Sequence, residues 1–313
     1  MPSFTAILPN YNDSARIDKA LAGLLGQTHP FDEILIVDDG STDDSIAVIE
    51  QLIDGRSNVR LLRHAKNQGV VATLNSGIDQ CRTDFLLMCS ANDTYSLQLV
   101  EWCNRALKQY PDAKMVAGNV RLSYAYISSG KKDVERLLPF PEHMQFYSPG
   151  ELIAWQRRAP IHFNGGASML STLHVKQYGG LLSALEWHAD WFVYNLLAFE
   201  NGIVYVPKIF SVTMFETGSY SGNINIWEKQ KPVIENTIKT LATRYPKHAL
   251  LFRRAALLPG LHLRNPLILL HKDLIWFVTP LLFWRVITHR MFYWLKYFLP
   301  RPFMMRVRTW FRI

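Results

Sequence analysis

Over the first 120 residues, short runs that are apolar at nearly every position alternate with longer stretches in which apolar residues recur every three to four places. The runs FTAILP (4–9), EILIVD (33–38), VRLL (59–62), DFLLMCS (84–90) and MVAGNV (115–120) predict strands. Because apolar and polar positions do not alternate within them, both faces of each strand should be covered. Between them, 15–27, 45–53, 70–81 and 97–110 predict helices, with N-cap candidates in STDDS (41–45) and a stop at QTHP (27–30). Strands and helices in alternation imply a parallel sheet with helices on both faces. In such sheets ligands bind beyond the carboxyl ends of the strands.

Polar residues collect at those ends. The first strand runs into Pro9-Asn10-Tyr11-Asn12, the second into Asp38-Asp39-Gly40-Ser41 and the fourth into Ser90-Ala91-Asn92-Asp93. Three polar strand ends in one crevice make a candidate site. Residues 121–160, with four prolines, read as loop-rich, and a second set of elements begins at NGGASM (164–169), leading through YGG (178–180) to EWHADW (186–191).

Charge divides the chain differently. The formal net charge is +8, yet residues 251–313 hold eleven Lys/Arg against the single acid Asp273, and 13 of the 39 aromatic residues. A near-neutral body therefore carries a basic, aromatic tail. With 49% hydrophobic residues in 313, the chain has ample material for a core. The opening MPSFTAILPNYN has neither the basic region nor the long apolar region of a signal peptide, so the N-terminal part is expected in the cytoplasm. Cys81, Cys89 and Cys103 lack metal-ligand spacing and read as reduced packing residues.

Six strings add specificity: ILPNYN (7–12), QTHPFDEILIVDDGSTDDS (27–45), KNQGV (66–70), SAND (90–93), NGGASM (164–169) and HADWF (188–192). In this order they resemble the family 2 glycosyltransferases, inverting enzymes with the GT-A fold, a mixed sheet flanked by helices. The resemblance covers roughly residues 3–220. It implies a catalytic domain over 1–225, with a nucleotide-binding half (1–120) and an acceptor half (121–225), followed by a membrane-association region over 226–313.

Residue by residue, the resemblance implies that Pro9 and Tyr11 line the base and ribose pocket and that Asp39 accepts a hydrogen bond from a uracil-type ring N–H. Asp38 would be a second contact or the loop's anchor. Where the family carries a cluster of aspartates, SAND keeps only Asp93, the expected ligand of Mg²⁺ or Mn²⁺, with Asn92 left to bond a ribose hydroxyl. One carboxylate can suffice for such a cation when phosphates and water complete its shell. Leu74 stands where many members have an arginine, which shifts the diphosphate's charge onto the metal and Lys66; MFETGSYSGN (214–223) lacks the histidine that some members use as a late ligand. Asp190 is the expected general base, with Glu186 as fallback and His188 as a wall residue. Gly165 and Gly166 would let backbone approach the sugar and acceptor, and Trp187 and Trp191 would either stack on a sugar or belong to the core. For each aspartate the plain alternative is a helix cap.

The run LILLHKDLIWFVTPLLFWRVI (267–287) contains His271, Lys272, Asp273, Pro280 and Arg285 and makes a poor spanning helix. Further on, Phe303, Met304, Val307, Trp310 and Phe311 share one helical face opposite Arg301, Arg308 and Arg312, the pattern of an interfacial helix. The partners implied are a nucleotide-sugar donor, UDP-linked by preference, a lipid-linked saccharide acceptor and an anionic membrane surface at the cytoplasmic face. Nucleic acid is disfavoured, because these aromatics lie among Leu, Ile, Val and Met. Two rivals stand beside this reading. A sugar nucleotidyltransferase would need a glycine-rich basic phosphate loop that LPNYNDSAR does not supply, and a non-catalytic binding protein would explain the thinned cluster.

Overall fold

The computed structural model describes residues 1–123, 133–214, 227–257 and 275–281, together with 283, 284 and 287. Every strand read from the apolar runs is present within three residues at either end: β1 (Phe4–Asn10), β2 (Glu33–Asp38), β3 (Val59–Arg63), β4 (Phe85–Met88) and β6 (Met115–Ser123). The helices α1 (Ile17–Leu25), α2 (Ser45–Ile53), α3 (Val70–Gln80) and α4 (Leu99–Gln109) fall between them as expected. In β1, Phe4, Ala6 and Leu8 face one core with α1 and α4, while Ile7 faces a second core with α3. Helices on both faces are why the strand needs no polar side.

Five further strands complete the sheet: β5 (Thr94–Tyr95), β7 (Val134–Arg136), β8 (Gln145–Tyr147), β9 (Ser168–Ser171) and β10 (Ile203–Met214). The order is β3-β2-β1-β4-β9-β6-β10-β5, with β7 on β6 and β8 on β10. The expectation of a parallel sheet holds for β3-β2-β1-β4 and for β6 with β10, but β9 is antiparallel to both β4 and β6. β9 starts at the crevice end, directly from the tight turn Gly165–Ala167, and so runs back down the sheet. The result is the mixed sheet flanked by helices of the GT-A fold.

The stretch 121–160, read as loop, contains α5 (Pro149–Arg158), which opens on a capping box between Ser148 and Glu151 with proline at its first position. α6 (Thr172–Gln177) follows β9, and α7 (Ala189–Asn201) then crosses the second core, burying Phe192, Val193, Leu196, Leu197 and Phe199. Losing a ring such as Phe192 to alanine would cost about 3–5 kcal/mol.

Helices α8 (Trp227–Arg244) and α9 (Pro246–Arg254) stand on the tail side of the 225/226 division drawn above, yet Ile234, Ile238, Leu241 and Phe252 join the same core as α7. Polar ties reinforce that packing: the Tyr245 hydroxyl donates to the Tyr178 carbonyl at 2.5 Å, and His248 Nε2 lies 2.9 Å from Glu200 Oε2. Among the described residues no helix is long and apolar enough to cross a membrane. The interfacial helix read over 301–312, most of the apolar run 267–287 and the segment 215–223 lie outside the described residues.

Candidate active site

The parallel register of β1, β2 and β4 brings the three polar strand ends together, since Asn10 pairs with Asp38 and Ile7 with Met88. Two of these ends are clamped to each other. Asp38, buried, accepts from Asn10 Nδ2 at 2.7 Å, the Ser41 hydroxyl at 2.5 Å and the Ser41 amide at 3.0 Å. Asn12, at φ +52°, accepts through Oδ1 from the Thr42 amide at 2.8 Å and donates its own amide N–H to the Ser41 hydroxyl oxygen at 2.9 Å. Asp38 is thus the loop's anchor. Pro9 stands half-buried beside it and Tyr11 projects into solvent, free to meet a planar ligand.

Asp39 points to the other side. Its Oδ1 is 2.8 Å from His64 Nδ1 and accepts from the Gln68 amide at 2.8 Å, and its Oδ2 accepts from the Gly69 amide at 2.8 Å. It therefore caps nothing on α2; it organises the turn into α3. Gly40, at φ +73°, lets the β2 loop lie against that turn, for a Cβ there would stand 2.8 Å from the Lys66 carbonyl carbon. Lys66 itself is exposed, its side chain clear of the clamp.

Across the sheet, SAND forms a tight turn closed by the Asp93 amide on the Ser90 carbonyl at 3.2 Å. The Tyr95 hydroxyl receives the Ser90 amide at 2.7 Å and donates back to the Ser90 carbonyl at 3.1 Å, while the Ser90 hydroxyl donates to Asn92 Oδ1 at 2.5 Å. Asp93 is tied to the end of β10, accepting from the Met214 amide at 3.1 Å and the Thr213 hydroxyl at 3.3 Å. These two neutral donors do not offset its burial, which lifts its carboxyl to about 7. It does not cap α4, whose first turn follows Gln98.

Asp190 lies in the first turn of α7, with Oδ1 accepting from the Trp191 amide at 2.6 Å. Burial pushes its carboxyl up to about 6 against that hydrogen bond. Gly165 is the joint between this helix and the SAND strand: a Cβ there would sit 3.0 Å from the Tyr194 hydroxyl and 3.1 Å from the Met88 carbonyl. Gly166 packs as closely, 2.9 Å from the Ser211 hydroxyl by the same measure, and its amide donates to Asn164 Oδ1 at 3.0 Å. Only backbone without side chains fits this seam. Tyr194, whose titration is raised by burial and by Asp190 and Cys89, links the Asp190 turn with the strand leading to Asp93.

Glu186 is exposed at φ +44°, ψ −123°, a conformation side chains rarely adopt, and Trp187 beside it is half-buried. His188 is buried edge-on to Trp191, whose ring meets Phe252 at 5.8 Å, so Trp191 belongs to the core. Sequence reading missed His64, Tyr95 and Tyr194. Only His64 carried a usable signal: Asp38 pairs with Arg63 in parallel, which makes Asp39 and His64 neighbours.

A hard cation would find one carboxylate here, with the Ser90 and Asn92 oxygens nearby. No group of three or more His, Cys, Asp or Glu converges among the described residues. The donor set suits an ion shared with a phosphate-bearing ligand, not one caged by protein alone, and the buried Asp93 carboxylate is the group such an ion would neutralise.

Against known proteins, the model of glycosyl transferase family 2 matches residues 5–163, just over half of the 313. An uncharacterized glycosyltransferase of Haemophilus influenzae is 32% identical over 93 residues, covering 30% of this chain and 37% of that one. The chain spans about two fifths of the curated relatives it matches. Among solved structures, S. aureus TarS 1–349 in complex with UDP is similar in fold, with TM-score 0.59 and 16% identity over 81% of this chain and 70% of that one. The mannosyltransferase PcManGT from Pyrobaculum calidifontis, in complex with GDP-Man and Mn²⁺, gives TM-score 0.55 and 17% identity over 92% and 86%.

Proposed function

The chain belongs to the family 2 glycosyl transferases, and from that premise we propose that it moves a sugar, with inversion, from a UDP-linked donor to a lipid-linked or growing glycan acceptor. One observation carries the reading. Two carboxylates, Asp93 buried and Asp190 half-buried, stand on either side of the Met88, Gly165 and Tyr194 seam, and burial lifts them to about 7 and about 6. Neither has the donors that would make it a settled structural anion. Each is suited to a positive partner, a proton or a cation.

In this reading the donor's base lies by Pro9, Tyr11 and Asp39, and its ribose by Asn92. Asp93 would hold Mg²⁺ or Mn²⁺, which when bound supplies positive charge to the departing diphosphate, with Lys66 adding its own. Asp190 takes the proton from the acceptor hydroxyl as that oxygen attacks the sugar carbon. A carboxyl that titrates near 6 is ionised at neutral pH and still basic enough to accept, as general-base catalysis requires. The seam at Gly165 and Gly166, closed by Tyr194, the Met88 carbonyl and Ser211, holds the Asp190 turn against the sheet, with Glu186 and Trp187 on the approach.

The lipid-linked acceptor and a place at the cytoplasmic membrane face are supported by the basic, aromatic tail. Trp276, Phe283 and Trp284 are exposed, and the Arg253 guanidinium lies 5.1 Å over the Trp276 ring. Aromatic rings beside arginine suit the boundary of an anionic bilayer. Sedimentation with phosphatidylglycerol vesicles should be strong and salt-sensitive; no sedimentation at low salt would remove the membrane from the proposal.

Calorimetry with UDP, GDP, TDP and CMP, with and without Mn²⁺, tests the donor site. Metal-dependent binding of UDP that disappears in Asp93→Ala is the expected result. If none of the four binds to folded protein, the transferase reading falls and the non-catalytic one replaces it.

A further inference from the structure

We infer that His64 is a positioning residue that sets how many hydrogen bonds Asp39 can offer to the donor's base; this rests on the reading that Asp39 faces that base. The geometry is a chain of three side chains from three elements. His64, just after β3, has Nδ1 2.8 Å from Asp39 Oδ1 and Nε2 2.9 Å from the Ser76 hydroxyl on α3. Asp39 is 3% and His64 12% exposed at the side chain, so bulk water does not compete for the contact.

The chemistry fixes the proton between the ring and the carboxylate. An ionised carboxylate only accepts, so Nδ1 carries the hydrogen and donates to Asp39. The other ring nitrogen, Nε2, meets the Ser76 hydroxyl, which can serve it as either donor or acceptor. Ser76 therefore fixes the orientation of the ring that serves Asp39.

Counting acceptor positions gives the consequence. A carboxylate has about four lone-pair sites. Two on Oδ1 are taken by His64 and the Gln68 amide, and one on Oδ2 by the Gly69 amide. One position on Oδ2 is left for a ligand. Uracil and thymine present a single ring N–H, which that position can satisfy. Guanine presents a ring N–H and an adjacent amino group, and would leave one of them without an acceptor in a buried site, which is costly. His64 thus favours a one-donor base over a two-donor base by occupying the oxygen that guanine would need.

The test uses the full chain, with UDP and GDP as probes in the presence of Mn²⁺. His64→Phe should weaken UDP binding about tenfold, the scale of one hydrogen bond to a charged group. GDP should lose less, so that the preference for UDP narrows. His64→Asn, whose amide N–H can replace Nδ1–H, should restore most of the UDP affinity, and Ser76→Ala should cost about two- to threefold. A His64→Phe protein with wild-type UDP affinity and an unchanged UDP-to-GDP ratio overturns the inference. So does a His64→Asn protein as weak as His64→Phe, because packing alone would then explain the loss. Should His64→Phe fail to fold, His64→Asn and Ser76→Ala carry the test: an unaltered UDP-to-GDP ratio in both overturns it. Absence of any nucleoside diphosphate binding in the wild type overturns the donor-site reading instead, and this inference with it.

Discussion

Two pairs of aspartates share one crevice and are treated in opposite ways. Asp38 and Asp39 are each met by three donors from the loops around them. Asp93 receives two neutral donors and Asp190 one from the next residue's amide, and burial raises both toward neutrality. The first pair builds the walls, and the second is left under-served. Burial of a carboxylate without full compensation is costly to the fold. Its retention at two sites in one crevice points to chemistry, as perturbed acids in a cleft generally do.

The sharpest way to break this contrast is Asp190→Asn. Loss of a general base should slow transfer about 10²–10⁴-fold, while UDP affinity by calorimetry stays at the wild-type level. Equal transfer rates would move Asp190 into the structural class. Next comes Asp38→Ala, which strands Asn10 and Ser41 in a buried site. Urea unfolding should report a loss of about 2–3 kcal/mol, the range for hydrogen bonds to a charged group; a neutral result would deny the loop clamp.

A smaller effect is expected in the pH profile. Asp190 must be ionised to accept a proton, so kcat/KM should fall about tenfold between pH 7 and pH 5, with an apparent pKa of about 6. A flat profile would exclude Asp190 as the titrating base. The mildest test concerns stability in metal-free buffer. Asp93 is raised in the fold from 3.8 to about 7, so the unfolded chain ionises first, and stability present below pH 3.8 is lost as pH climbs toward 7. Asp93→Asn should therefore raise Tm by several degrees at pH 8 and leave it unchanged at pH 3. A lowered Tm at pH 8 would mean that the charge is already compensated.

The nucleotide-binding half was readable because a strand covered on both faces leaves an apolar run that no other element of that length leaves. The later strands carry no such mark. β9 is only SMLS, and β5 is two residues paired with Ser211 and Val212 of β10, so pairing and not composition makes them strands. α5 was missed although its signature, Ser148 followed three residues later by Glu151 with proline between, stood in the sequence; the surrounding prolines masked it. Within the site, motif positions located the aspartates but could not tell Asp38 from Asp93. That difference lies in the number of donors around each, which only the packed loops decide. The Gly165 seam was likewise invisible, because Tyr194 and the Met88 carbonyl reach it from elements distant in sequence.

The docking of α8 and α9 bears on how the protein can be handled. A chain shortened after residue 225 would strip Ile234, Ile238, Leu241 and Phe252 from α7 and leave Phe192, Phe199 and their neighbours facing solvent. Such a fragment should collect in inclusion bodies. Ending near Tyr245 removes Phe252 as well and invites the same outcome. A cut just beyond Leu257 gives up only Phe277 and Val278 among the described core residues, and is the shortest form worth expressing for crystals or for labelled spectra.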